Sequence, residues 1–113
     1  MTTNEFNEFF EGRINGIRQL ACSKNEEYAT RYDHFRNFNQ GAKITGLNRD
    51  RVLWGFFIKH FISIQDYILH NATLSPCQVD EKINDMIIYL LLLAGMLVES
   101  EGRLIEPAKT PNQ

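Results

Sequence analysis

Two carboxylates four residues apart, Glu81 and Asp85, open a segment that turns wholly apolar a few residues later. On a helix, Glu81, Asp85, Ile88, Leu92 and Met96 share one face by steps of three and four residues. A face that begins with two acids thus becomes core two turns on, which places both acids at the core's edge. Carboxylates held there need a cation, a proton or a metal. Lys59 and His60, from a second helical segment, could supply a structural salt bridge. A hard divalent cation such as Mg²⁺ could do so equally, since it takes oxygen ligands and bridges carboxylates to phosphates. On the residues alone both readings stay open.

A second chemistry-bearing stretch is "KNEEYATRYDHFRNF", Lys24 to Phe38. It packs acids, bases, amides and four aromatic rings together with no helical or strand period, and it reads as a functional loop. His34, His60 and His70 have no i, i+4 partner that would make a metal pair, so they read as ordinary polar contacts. Trp54 sits among Leu53, Phe56, Phe57 and Ile58 and reads first as core. Cys22 and Cys77 lack metal-ligand spacing and are expected to be free thiols.

The elements that must position these groups are helical. Phe6, Phe9, Phe10, Ile14, Ile17 and Leu20 recur on one face of a first helix that runs out near Cys22. A short helix or turn is expected around 39–45, with Gly46 as its stop. Asn48 is the expected N-cap of a long helix from Arg49 to His70. On that helix Gly55, Lys59, Ser63, Asp66 and His70 form a narrow polar seam opposite Leu53, Phe57, Phe61, Ile64 and Ile68. Ser75 followed by Pro76 starts a last helix that reaches about Glu99. The expected fold class is all-α: a bundle of four or so helices over 1–102, with a loose tail at 103–113. The last helix is apolar all round from Met86 to Val98, so it is expected either to be central or to pack against a second copy.

The bulk composition narrows the classes. With 12 basic and 14 acidic residues and a formal charge of −2, a general nucleic-acid binder is disfavoured. No basic residue precedes an apolar core at the N-terminus, so no signal peptide is read. The apolar run 86–98 falls short of the roughly twenty residues a bilayer span needs, so the expected location is cytoplasmic, with no membrane partner.

Four motifs in order carry a family resemblance: K-N-x-x-Y at 24–28, F-x-N-F at 35–38, K-H-x-x-S-x-x-D at 59–66, and an acidic helix start ending in D-x-x-x-Y at 85–89. Together, over about residues 5 to 100, the chain resembles the small phage-associated relatives of the MazG-type all-α nucleoside triphosphate pyrophosphohydrolases. The resemblance implies a homodimeric or homotetrameric bundle, here joined through the last helix, whose acids bind Mg²⁺. It implies that Glu26, Glu27, Glu81 and Asp85 are metal ligands, with Glu26, Glu27 and Glu81 catalytic. Lys24, Asn25, Tyr28 and Asn37 would surround the nucleotide, and Lys59 and Asp66 match the polar positions of the central helix. Arg31, Arg36 and Lys59 suit phosphate oxygens, and Tyr28, Tyr32 or Trp54 suit a base. The family's E-E-x-x-E ends here at Thr30 instead of a third acid, with Asp33 as the nearest replacement, and the later acidic pair is spaced i, i+4 instead of i, i+3.

Three functions follow from this reading. The first is Mg²⁺-dependent hydrolysis of a nucleoside triphosphate to monophosphate and pyrophosphate. The second is sequestration of a nucleotide, including a signalling nucleotide, without turnover. The third is docking on a host protein to counter host defence.

Overall fold

Three antiparallel helices, each packed on the next, form the centre of the molecule, and a fourth lies against the last of them. The computed structural model describes the backbone of residues 1–28 and 35–102 and the side chains of 1–21 and 35–102. The helices are α1 (Thr3–Tyr28), α2 (Arg36–Thr45), α3 (Arg49–Leu69) and α4 (Pro76–Ser100), with no strand among the described residues. The all-α class read from periodicity is what is observed.

Local chemistry accounts for most of the helix ends. Ser75 and Gln78 form a reciprocal capping box: Gln78 N–H donates to Ser75 Oγ at 3.2 Å and Ser75 N–H to Gln78 Oε1 at 2.9 Å. Pro76 takes the first helical position, where its missing N–H loses nothing. Gly46 ends α2 at φ 75°, a left-handed conformation open to glycine, and its N–H closes on the Ala42 carbonyl at 2.9 Å. Asn48 occupies the N-cap of α3, yet its side chain makes no capping bond. Asn71, left-handed at φ 55°, turns the chain after α3 so that Ala72 N–H reaches the Asp66 carbonyl.

Two sequence expectations are corrected. The first helix does not stop near Cys22 but continues to Tyr28. No proline or glycine lies between Ala21 and Tyr28, and lysine and glutamate are good helix formers, so the backbone continues after the apolar period has lapsed. The second helix begins at Arg36 instead of near 39. The Lys24–Phe38 stretch is therefore not one loop. Lys24–Tyr28 closes α1 and Arg36–Phe38 opens α2, while 29–34 lie outside the described residues.

The core is small. Leu53 (1% exposed), Met96 (2%) and Phe38 form it, with Phe35, Val52, Tyr89, Leu92 and Leu93 packed around them. Gly41 lets α2 approach α3, since a Cβ there would stand 2.9 Å from Val52 Cγ1. Edge-to-face packing of Phe38 on Phe56, with ring centroids 6.0 Å apart, continues that seam. Arg49 ties the top of the hairpin. Its guanidinium reaches the Met96 carbonyl (3.0 Å), Ser100 Oγ (2.9 Å) and Glu99 Oε1 (2.7 Å), and it lies 5.4 Å over the Phe35 ring.

α1 lies against α4, where the Arg13 guanidinium pairs with Asp80 at 3.2 Å, and four residues on Ile17 is buried at 4% exposed. Gly12 and Gly16 lie inside this helix, and a Cβ at either would meet nothing within 4 Å. Gly12→Ala with Gly16→Ala is thus expected to stabilise the protein by about 0.5–1 kcal/mol per site, read as a rise in the urea midpoint.

α4 departs from the enclosed core helix its composition suggests. One side packs on α3, but Leu90, Leu91 and Leu97 are about half exposed or more. Over an 18-residue window its mean hydropathy is 1.6 with 11% of the window buried, so by length and composition it could cross a membrane.

Candidate functional site

The antiparallel register of α3 on α4 decides which polar groups meet. Arg49 lies by Met96 and Ser100, Phe56 stacks on Tyr89 with centroids 6.4 Å apart, and His60 faces Asp85. Continuing that register toward the α3–α4 loop sets Ser63 across from Lys82 and Asp66 across from the first turns of α4.

Asp85 and His60 make the central contact of this seam, with Oδ2 3.7 Å from Nε2 and both side chains mostly covered. The His60 ring is also stacked on Tyr89 at 5.7 Å. Of the two partners considered from the sequence, His60 is the one that reaches the carboxylate. Lys59, on the next position of the helix, is exposed. His60, one of the two partners the sequence offers for these acids, is thus the side chain that meets Asp85.

Glu81 is corrected to an exposed position, whereas Asp85 lies at the edge of the core as expected. The hairpin is open at that end, where Ile68 and Leu69 of α3 are exposed as well. Asp66 is half-buried at the same end of α3.

Asn84 was not singled out by sequence reasoning. It lies three residues after Glu81 and beside Asp85, and its Oδ1 is buried with no hydrogen-bond partner among the described residues. A buried acceptor left unpaired carries a desolvation penalty and calls for a donor or a cation. The i, i+3 spacing of Asn84 from Glu81 is the signal the sequence carries for it. Glu81, Asn84 and Asp85 thus set three oxygen-bearing side chains on one stretch of α4.

The remaining expected site residues fall elsewhere or outside the described side chains. Glu26 and Glu27, with Lys24, Asn25 and Tyr28, lie in the last turns of α1, and their side chains are outside the described residues, as is the whole of Arg31. Arg36 and Asn37 are exposed in the first turn of α2. The Phe35 ring just before them lies against Gly95, ten residues beyond Asp85 and so about 15 Å along α4. The opening of α2 is therefore well apart from the His60–Asp85 contact. Among the described residues no three His, Cys, Asp or Glu side chains are grouped to hold a metal ion. A separate groove of about 680 Å³ lies between α2, the start of α3 and the end of α4, lined by Lys43, Asn48, Arg49 and Ser100 among others.

No protein-family model, curated protein or solved structure matches the chain.

Proposed function

We propose that the protein is a MazG-like, Mg²⁺-dependent nucleotide-binding protein of the cytoplasm that hydrolyses a nucleoside triphosphate to monophosphate and pyrophosphate. The observation that carries this reading is the His60–Asp85 contact, with the buried, unsatisfied oxygen of Asn84 on the next position of α4. Two carboxylates and an amide oxygen are the donor chemistry Mg²⁺ prefers, so these residues fit the ion. The further oxygens it needs would come from Glu26 and Glu27, from water and from the substrate's phosphates. When bound, the ion supplies charge stabilisation at phosphoryl oxygens and acidifies a bound water.

The chain's own residues have separate tasks. His60 holds the Asp85 carboxylate in place. The exposed ammonium of Lys59 lies one position away, available to phosphate oxygens. Exposed Leu90, Leu91 and Leu97 favour a homodimer or homotetramer joined through α4. A second reading, capture of a nucleotide without turnover, is favoured by Thr30 where the family motif carries its third acid.

The test is a nucleotide panel with and without Mg²⁺, read by pyrophosphate release and by melting temperature. Turnover by the wild type is expected, falling by about 100-fold or more in Asp85→Asn and Glu81→Gln, the scale for losing one group that stabilises transition-state charge. Stabilisation with the ligand recovered intact selects sequestration. No stabilisation and no product rejects both.

A further inference from the structure

The first twelve residues of the chain are all exposed, although most of them are helical. Among the described residues, helix α1 is anchored from Arg13 onward, by the Asp80 ion pair and by buried Ile17. Phe6 lies seven residues before Arg13, about 10 Å further along the rod, while α4 begins only four residues before Asp80. The N-terminal half of α1 is therefore an arm, residues 1–12, that no described part of its own chain buries.

That arm is not a polar overhang. Phe6, Phe9 and Phe10 lie on the same helical face as Ile17, so the stripe that is buried at Ile17 continues uncovered toward the N-terminus. The three rings cluster on one another, with Phe6 centroids 6.2 and 6.4 Å from Phe9 and Phe10, and each stays about half exposed.

Helix α3 carries a matching surface. Trp54 and Phe61 flank buried Phe57, with centroids 5.2 and 6.3 Å from it, and Ile68 continues the row. All three flanking residues are about half exposed or more. On the helical wheel they point away from Val52, the side on which α2 packs.

We propose that the arm of one copy docks on the α3 face of a second copy, and that the exchange is reciprocal. Area singles out a second copy as the occupant. Half-exposed aromatics leave roughly 100 Å² each to cover, so an arm with its three rings supplies about 300 Å². An arm and a face together bring each protomer to about 600 Å² from these side chains alone, near the ~800 Å² per partner of a stable interface once their neighbours are counted. One arm in one face would supply half of that. A two-fold arrangement, in which each copy gives an arm and receives one, uses both surfaces at once. The contact is separate from any through α4, and it does not depend on the nucleotide reading.

Trp54 is the only tryptophan, so its emission reports directly on the face. The full chain is followed by sedimentation velocity and Trp54 emission from about 100 µM down to well below the micromolar range. A dimer is expected, with Trp54 emission moving to longer wavelength as dilution uncovers it. Phe9→Ser with Phe10→Ser, and separately Phe61→Ser, should each weaken association by about 30-fold or more, the usual effect of losing buried aromatic anchors. Far-UV circular dichroism checks that each variant keeps its helices. Mixing the two variants restores one intact arm with one intact face, and association between unlike chains should return with a blue shift of the arm variant's Trp54. A monomer at 100 µM overturns the proposal. So does a dimer, or binding to phosphatidylcholine–phosphatidylglycerol vesicles, that the arm substitutions leave unchanged in affinity and in Trp54 emission.

Discussion

Leu53→Ala is expected to lower the stability of the folded chain by about 3–5 kcal/mol, the range for emptying a fully buried leucine site. Leu53 is 1% exposed and sits where α2, α3 and α4 meet, against Phe38 and Met96. These three are the whole buried cluster at that junction, so the hole cannot be filled by a second layer of core, and the surrounding rings can move in only by giving up their own contacts. Domains of this size are commonly stable by 5–15 kcal/mol, so the substitution removes a large part of the total. A urea titration followed by circular dichroism reads the change. A loss below about 1 kcal/mol would mean that the cluster is not the stability centre of the fold.

Arg49→Ala is the second large effect, expected at about 2–3 kcal/mol. The Glu99 pair adds little because that carboxylate is mostly in water. The weight lies in the bonds to the Met96 carbonyl and Ser100 Oγ, which satisfy the end of α4. Arg49→Lys keeps the charge but not the fork, so it should recover only part of the loss. Arg49 and Leu53 both touch Met96, so their double variant should lose less than the two single losses added together, and a double-mutant cycle reads that coupling.

The candidate site was legible in part. Asp85 stands out because an acid at the head of an apolar face needs a partner, and the His60 ring comes within 3.7 Å of it. The identity of that partner was not legible: Lys59 and His60 are adjacent in sequence, and only the angle at which α3 meets α4 chooses between them. Glu81 looked equivalent to Asp85 on a helical wheel, but it comes one turn nearer the open end of the hairpin and meets water instead. Asn84 escaped notice because an amide in a helix is unremarkable until its oxygen is found buried and alone. The Lys24–Phe38 stretch was read as a loop because its apolar period lapses, yet loss of period marks loss of a packing partner and not the end of a helix.

By itself the sequence determined the all-α class and the ends where capping chemistry is local, at Gly46 and Ser75–Pro76. Those signals act within a few residues of one another, so no distant contact is needed to read them. Tertiary structure alone decided that His60 meets Asp85, that Arg49 closes the end of α4, and that the Phe6–Phe10 arm and much of α4 stay uncovered within one chain. A helical period sets the direction in which a face points about its own axis. What that face meets depends on how far apart, and at what angle, elements distant in the chain come to rest.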